Sequence, residues 1–455
     1  MKLTIKEIVN AVSGKLLKGS LEGVVEEITT DSRKKMYNGL FIPLKGERFD
    51  GHHFIGMVKE CGAIAALTMD ENYQDEKLAM ILVEDTKQAL LDLARYYRKT
   101  FNLPVVGITG SVGKTSTKEM IYATLSGKWQ VHKTEGNFNN EIGLPLTLFG
   151  LNTMHEAAVI EMGMNHFDEI HNLSLTALPD VAVITNVGTS HIENLGSREG
   201  ILKAKLEILD GLDKDGLLVL NGDNDLLGGL KDLPAKSVFY GLCEKNDYWA
   251  KDIQSEGEYT TATVISPKAT YAIRIKALGE HMVYNTLAAI AVAEHYGLTE
   301  EEIMKGLASY TPAKMRMHIE TFDNGVTVID DTYNASPDSM KAALKVLNDY
   351  TVKGRKIAVL GDMFEMGEFA PNLHKEVGEF AVTMALDALI AVGELAENIY
   401  DGYITQGGKG GLYFKDKESF IKEFLPRVQN HDCILFKASR GMHFEELVKH
   451  VGEMK

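Results

Sequence analysis

A β-branched run, VVGIT at residues 105–109, is followed at once by Gly110-Ser-Val-Gly113-Lys114-Thr115 and then by TSTKEMIYATLSG, whose apolar positions suit a helix. No other feature confines the fold as tightly. A short apolar strand bounded by glycine and followed by a helix is the opening of a βαβ unit, and so of a parallel sheet covered by helices. The turn between them also carries chemistry. Glycines let successive backbone N–H groups point at an anion without side-chain clash, and the helix N-terminus adds its partial positive charge. Lys114 would reach the outer phosphates of a nucleoside triphosphate and Thr115 would hold Mg²⁺. The strict pattern G-x-x-x-x-G-K-[ST] wants glycine at position 108, where the chain has Ile108, so the loop is a variant built on Gly107, Gly110 and Gly113. A dinucleotide turn has different glycine spacing, and Lys-Thr after the last glycine belongs to triphosphate chemistry. ATP is the expected ligand, held by Gly110, Ser111, Val112, Gly113, Lys114, Thr115 and Ser116.

The rest of the chain extends this rhythm. AAVIEMG, DVAVITNVG and GLLVLNGDN read as further strands between helical stretches. Between about 237 and 277, TATVIS and YAIRIKA alternate in the manner of antiparallel strands, and the helical HMVYNTLAAIAVAEHYG follows. A second α/β series starts after Thr311-Pro312, with GVTVIDD, KIAVLGD, ALIAVG, GLYF and CILFKAS as strands. Before the phosphate loop, short apolar runs and turns end in the amphipathic TKQALLDLARYYRKTF, and Asn102-Leu103-Pro104 disfavours helix continuation. At 455 residues, two to four domains are expected from a norm of roughly 100 to 200 residues each. The expected class is α/β with three domains: 1–102, a central P-loop ATPase domain on a mostly parallel sheet at 103–312, and a Rossmann-like α/β domain at 313–455.

Composition narrows the partners. A net charge of −16 argues against nucleic acid and anionic membranes, whose binding rests on Lys and Arg. No run approaches the roughly 18 apolar residues of a membrane span, and the first residues lack a secretory core, so a cytoplasmic protein with no membrane insertion is expected. Cys61, Cys243 and Cys433 are too far apart for a disulfide framework or zinc cluster.

GITGSVGKTS is followed in order by TEGNFNNEIGLP, EMGMNHFDEI, ITNVGTSHIENLGS and AKLEI, then by DDTYNASPDSM, LGDMFEMG and KASRGM. Over its whole length the chain thereby resembles the Mur ligases, ATP-dependent enzymes that join a carboxylate to an amine. The later motifs are similar to those of the member that adds D-alanyl-D-alanine to a UDP-N-acetylmuramoyl-tripeptide, and TTDSRKKMYNGLFIPLKGERFDGHHF resembles that member's UDP-sugar-binding region. The resemblance implies a UDP-sugar-binding first domain and a C-terminal domain that meets ATP and the amine. It also implies an acyl-phosphate intermediate and a monomer.

Site roles follow from the same resemblance. Lys114, Glu161, His191, Lys205 and Arg316 are the implied catalytic set. Two Mg²⁺ ions are implied, one on Thr115 and Glu161 and one on His191 and Lys205. An ammonium cannot ligate a cation, but the family's lysine in A-K-x-E-I carries a carbamate, an oxygen ligand. That pattern selects Lys205 over Lys203. Asn285 matches an adenine-contacting asparagine, with Met282 where relatives often have another asparagine, and Arg316 and Asp331 would approach ATP. Ser32, Arg33 and Lys45 are the candidates for the nucleotide sugar, Asn137, Asn139 and Asn140 for the junction of γ-phosphate and tripeptide, and Tyr333 and Asn334 for the amine side. Asp362 is a further candidate. Other readings are a relative adding a single amino acid, such as a folylpolyglutamate-type ligase, or a P-loop ATPase acting on nucleic acid or as a regulatory module. The acidic charge opposes nucleic acid, and intact Lys114, Thr115, Glu161, His191 and Lys205 oppose a dead scaffold.

Overall fold

The computed structural model describes residues 1–46, 49–73 and 77–454. By contact density the chain divides into two compact units, Met1–Thr109 with Trp129–Ala182 and Leu206–Leu217, and Gly110–Lys128 with Val183–Lys205 and Leu218–Lys455.

In the first unit a five-stranded sheet has the spatial order Lys15–Lys18, Ala79–Leu82, Ala63–Thr68, Gly39–Phe41, Glu27–Thr29. Only the edge strand Lys15–Lys18 runs antiparallel to its neighbour. Phe41, Ile55, Val58, Ala66 and Met80 form a core cluster beside it. The amphipathic stretch folds as the helix Thr86–Arg98, started by the Asp85 carboxylate, which accepts from the N–H groups of Lys87 and Gln88. A parallel trio follows, with Ala157–Glu161 between Val105–Thr109 and Val131–Lys133. The strands Val105–Thr109 and Ala157–Glu161 are buried along their whole length, whereas the strand Val131–Lys133, Val-His-Lys, is only half-buried.

The second unit opens with the helix Lys114–Leu125, whose N-cap is Gly113 in the left-handed region, without a side-chain cap. Tyr248–Glu256, Tyr259–Ile265 and Thr270–Ile275 form the antiparallel meander. Along Thr270–Ile275 buried and exposed residues alternate one by one, as period two requires. The helix Glu280–His295 is buried almost all round.

The last sheet of this unit has six strands in the order His318–Thr321, Thr327–Asp330, Cys433–Lys437, Lys356–Gly361, Ala388–Val392, Gly411–Phe414. All neighbours are parallel except the edge hairpin His318–Thr321 with Thr327–Asp330. Alternate strand residues feed two separate cores. Ile329, Leu435, Ala358, Leu360 and Leu389 pack with Met340, Leu344, Val377 and Ile399. Val328, Ile434, Phe436, Ile357 and Ile390 pack with Phe420, Phe444, Leu447 and Val451. Helices on both faces of a parallel sheet make a doubly wound layer, which presents ligand-binding groups at the carboxyl ends of its strands. No helix among the described residues is long and apolar enough to cross a membrane.

Candidate functional site

The phosphate loop is shaped by the residues after VAVI. Thr185 Oγ1 donates to the Val112 carbonyl at 2.6 Å, Asn186 Oδ1 accepts from Val112 N–H at 2.9 Å, and Ser111 Oγ accepts from Gly188 N–H at 3.0 Å. Gly110 has φ 153°, and a Cβ there would stand 1.8 Å from Thr185 Oγ1. Side-chain-to-backbone bonds thus fix the loop from one side. Lys114 curls over it, its ammonium donating to the Gly110 carbonyl at 2.7 Å.

The neighbouring helices supply further groups. Asn285 is buried, and its Oδ1 accepts from Thr117 Oγ1 at 2.9 Å while its amide lies 3.3 Å from Met282 Sδ. It therefore sits beside the phosphate loop and not on a solvent face. Lys205 is 1% exposed, whereas Lys203 on the same helix is exposed. Burial drives the Lys205 ammonium well below its ordinary pKa, and the positive charge of Lys114 adds to the shift. His191 has φ 64°, and its Nδ1 lies 2.7 Å from the Glu365 carboxylate.

The carboxyl end of the last sheet meets the same loop. Arg316 Nη2 donates to Thr115 Oγ1 at 3.4 Å, and its guanidinium lies over the Tyr333 ring at 4.0 Å from the centroid. Asp331 is buried against Lys437, whose ammonium also donates to the Asn334 carbonyl at 3.0 Å. Asp362 faces elsewhere. Its Oδ1 accepts from Ala396 N–H at 2.7 Å, and burial raises its pKa, so it ties down the loop before the helix Glu397–Thr405.

In the first unit, Glu161 ends its strand 2% exposed, takes Asn139 Nδ2 on Oε1 at 2.8 Å, and its N–H donates to Thr134 Oγ1. Asn140 Oδ1 accepts from Gly143 N–H at 2.8 Å, at the entry to the helix Gly143–Phe149, while Asn137 is exposed. Arg33 is exposed and forked onto Asp31 through two bonds of 2.9 Å; Ser32 is half-buried and Lys45 is exposed at a bridge to Asp50.

Four contributors escaped the sequence reading: Thr117, Asn186, Glu365 and Lys437. All four lie within quoted stretches, but their partners are far away in the chain. Lys437 had one local signal, a charge closing the apolar strand CILFK.

Comparison with known proteins agrees with this geometry. Residues 24–98 match the model described as Mur ligase family, catalytic domain, residues 108–293 the Mur ligase middle domain, and residues 315–440 the Mur ligase, glutamate ligase domain. The chain is 43% identical over 453 residues to the UDP-N-acetylmuramoyl-tripeptide--D-alanyl-D-alanine ligase of Bacillus subtilis (99% of this chain, 98% of the relative), and 35% identical to the protein of that name from Haemophilus influenzae (98% of each). Among solved structures, MurF of Acinetobacter baumannii superimposes with TM-score 0.92 at 32% identity, covering 100% of this chain and 99% of the other. MurF ligase of Thermotoga maritima, solved with ADP, gives 0.84 at 32% identity over 94% and 97%. With three family segments in order, full-length relatives and a phosphate loop met by the arginine of the last sheet, the chain belongs to the Mur ligase family.

Proposed function

We propose that this chain joins D-alanyl-D-alanine to a UDP-N-acetylmuramoyl-tripeptide with ATP, forming ADP, phosphate and the UDP-MurNAc-pentapeptide used in peptidoglycan synthesis. The full-length correspondence to ligases of that name carries this reading. The chemistry follows from what a carboxylate lacks. Hydroxide is a poor leaving group, so a carboxylate oxygen first attacks the γ-phosphorus and ADP departs. The dipeptide amine then attacks the acyl carbon, loses a proton, and phosphate leaves. Each step brings anions together, which calls for fixed positive groups. Lys114 faces the outer phosphates. Arg316, held over Tyr333 and against Thr115, presents a permanently charged fork to the transferring phosphoryl group.

Mg²⁺ fits the donor set. Among the described residues no three His, Cys, Asp or Glu side chains cluster as a metal cage, and Mg²⁺ in nucleotide sites leans instead on phosphate oxygens, water and one or two protein oxygens. Thr115 and Glu161 are assigned to one ion, His191 and Lys205 to the other. Bound Mg²⁺ would neutralise phosphate charge and polarise the phosphorus. Lys205 suits carbamylation because burial, with the positive charge of Lys114, disfavours its ammonium and so favours the nucleophilic amine. The amine nitrogen can add to carbon dioxide and release a proton, giving a carbamate anion that the charge of Lys114 attracts. Arg33, Ser32 and Lys45 are assigned to the nucleotide sugar, Asn137, Asn139 and Asn140 to the phosphate–tripeptide junction, Asn285 to the adenine, Asp331 to ATP, and Tyr333 and Asn334 to the amine. Domain limits at 102/103 and 312/313, a monomer and a cytoplasmic location complete the reading.

The test is phosphate release from Mg-ATP with UDP-MurNAc-tripeptide, comparing D-alanyl-D-alanine with D-alanine, L-lysine and diaminopimelate. Release driven by the dipeptide alone, with pentapeptide formed, is the expected outcome. Preference for a single amino acid would remove the substrate assignment and leave the ATP-dependent ligase.

A further inference from the structure

Arg316 is presented in an unusual way. The residues on either side of it, Met315 and Met317, both occupy the left-handed region, at φ 60° and 50°. Side chains with a Cβ adopt that conformation only at an energetic cost, so something outside the segment must hold it. Two bonds do so, both from the loop after the strand Thr327–Asp330. Tyr333 N–H donates to the Met315 carbonyl at 3.3 Å, and Met317 N–H donates to Asp331 Oδ1 at 3.2 Å. The Tyr333 ring also floors the guanidinium.

That loop is itself held from below. Lys437, 1% exposed at the end of the strand Cys433–Lys437, pairs with Asp331 Oδ2 and donates to the Asn334 carbonyl. The two strands are neighbours in register, Asp330 opposite Phe436. One ammonium therefore closes both ends of the Asp331–Asn334 loop. An aliphatic residue would have served packing in this place at lower desolvation cost, so the charge points to a task beyond filling space.

We infer that Lys437 is a positioning residue of the ligase reaction, which fixes Asp331 and the Tyr333 ring so that Arg316 stays extended toward Thr115 and the phosphate loop. Lys437 acts entirely through these partners and touches no substrate. This inference rests on the proposed ATP-dependent ligation.

The test is a double-mutant cycle on the full-length enzyme with Lys437→Met, Arg316→Ala and the pair. Two readouts are taken: affinity for a non-hydrolysable ATP analogue with Mg²⁺ by titration calorimetry, and kcat with KM for ATP. Lys437→Met should weaken analogue binding or kcat by about tenfold or more, the scale of a lost charged hydrogen bond. The pair should match Arg316→Ala within about twofold, because residues acting as one unit are not additive. Losses that multiply, or wild-type values in Lys437→Met, would overturn the inference. If Lys437→Met does not fold, Lys437→Gln, which keeps a donor in the same space, is read in the same cycle with the same two outcomes. Wild-type turnover with D-alanyl-D-alanine is the control, and its absence would count against the proposed function instead.

Discussion

His191 Nδ1 and Glu365 Oε2 lie 2.7 Å apart, and both residues hold left-handed backbone conformations, at φ 64° and 63°. The contact joins the segment after VAVITNVG to the loop after KIAVLG, more than 170 residues later by the numbering. His191 draws the Glu365 pKa below its ordinary value. Nearby, Gly367 packs so closely that a Cβ would meet Glu193 at 3.0 Å.

Glu365→Ala should therefore release the His191 ring and lower turnover by about tenfold to a hundredfold, the range for partners that orient a functional histidine. The thermal midpoint should move little, because half of the Glu365 side chain is exposed. Steady-state kinetics beside thermal unfolding would check this. Unchanged kinetics would make the pair a tether only.

Gly110 and Gly113 should respond differently to alanine. At Gly110 the new methyl would collide with Thr185 Oγ1, which already bonds the loop. At Gly113, with φ 84°, the nearest atom is 3.7 Å away. Gly110→Ala is expected to abolish ATP-analogue binding, whereas Gly113→Ala should carry only backbone strain of about 1 kcal/mol. Equal effects on binding would contradict the role given to Thr185.

Lys205→Ala should lose at least about a hundredfold in turnover and regain part of it with a short added carboxylic acid; Lys203→Ala should stay active. Stability gives a second reading. The folded-state pKa of Lys205 is depressed, so below its usual 10.5 the unfolded chain binds a proton that the folded chain excludes, and stability rises with pH across that window. In buffer free of carbon dioxide at pH 7, Lys205→Met should melt a few degrees above wild type, and the gap should close near pH 10.5. Bicarbonate should raise the wild-type midpoint alone.

His281 provides the acid-side counterpart. Burial pushes its imidazole down to about 4, with Asp331 pulling it up and Lys437 pushing it down. Between its ordinary 6.5 and about 4, the unfolded state takes up a proton that the folded state refuses. Its contribution is thus complete above pH 6.5 and is lost as pH falls toward 4. His281→Gln should flatten the decline in thermal midpoint between pH 7 and 4.5; a decline parallel to wild type would remove His281 as a cause.

Much of this protein is decided within short windows of its chain. VVGIT followed by a glycine turn and Lys114 can be little else than a strand, an anion loop and a helix, because glycine placement and β-branching act locally. The alternation in YAIRIKA, the Asp85 cap and the ordered motifs of the Mur family are local in the same sense, and they were sufficient for the α/β class and for the phosphate loop. Tertiary structure alone decided which charges are buried and what they face. Lys203 and Lys205 differ by two positions on one helix, yet only Lys205 is enclosed, because the packing of distant segments sets burial. The pairs Thr117 with Asn285, His191 with Glu365 and Lys437 with Asp331 span from 106 to 174 positions. No periodicity reaches that far, and their energies exist only once the sheets have brought the partners together.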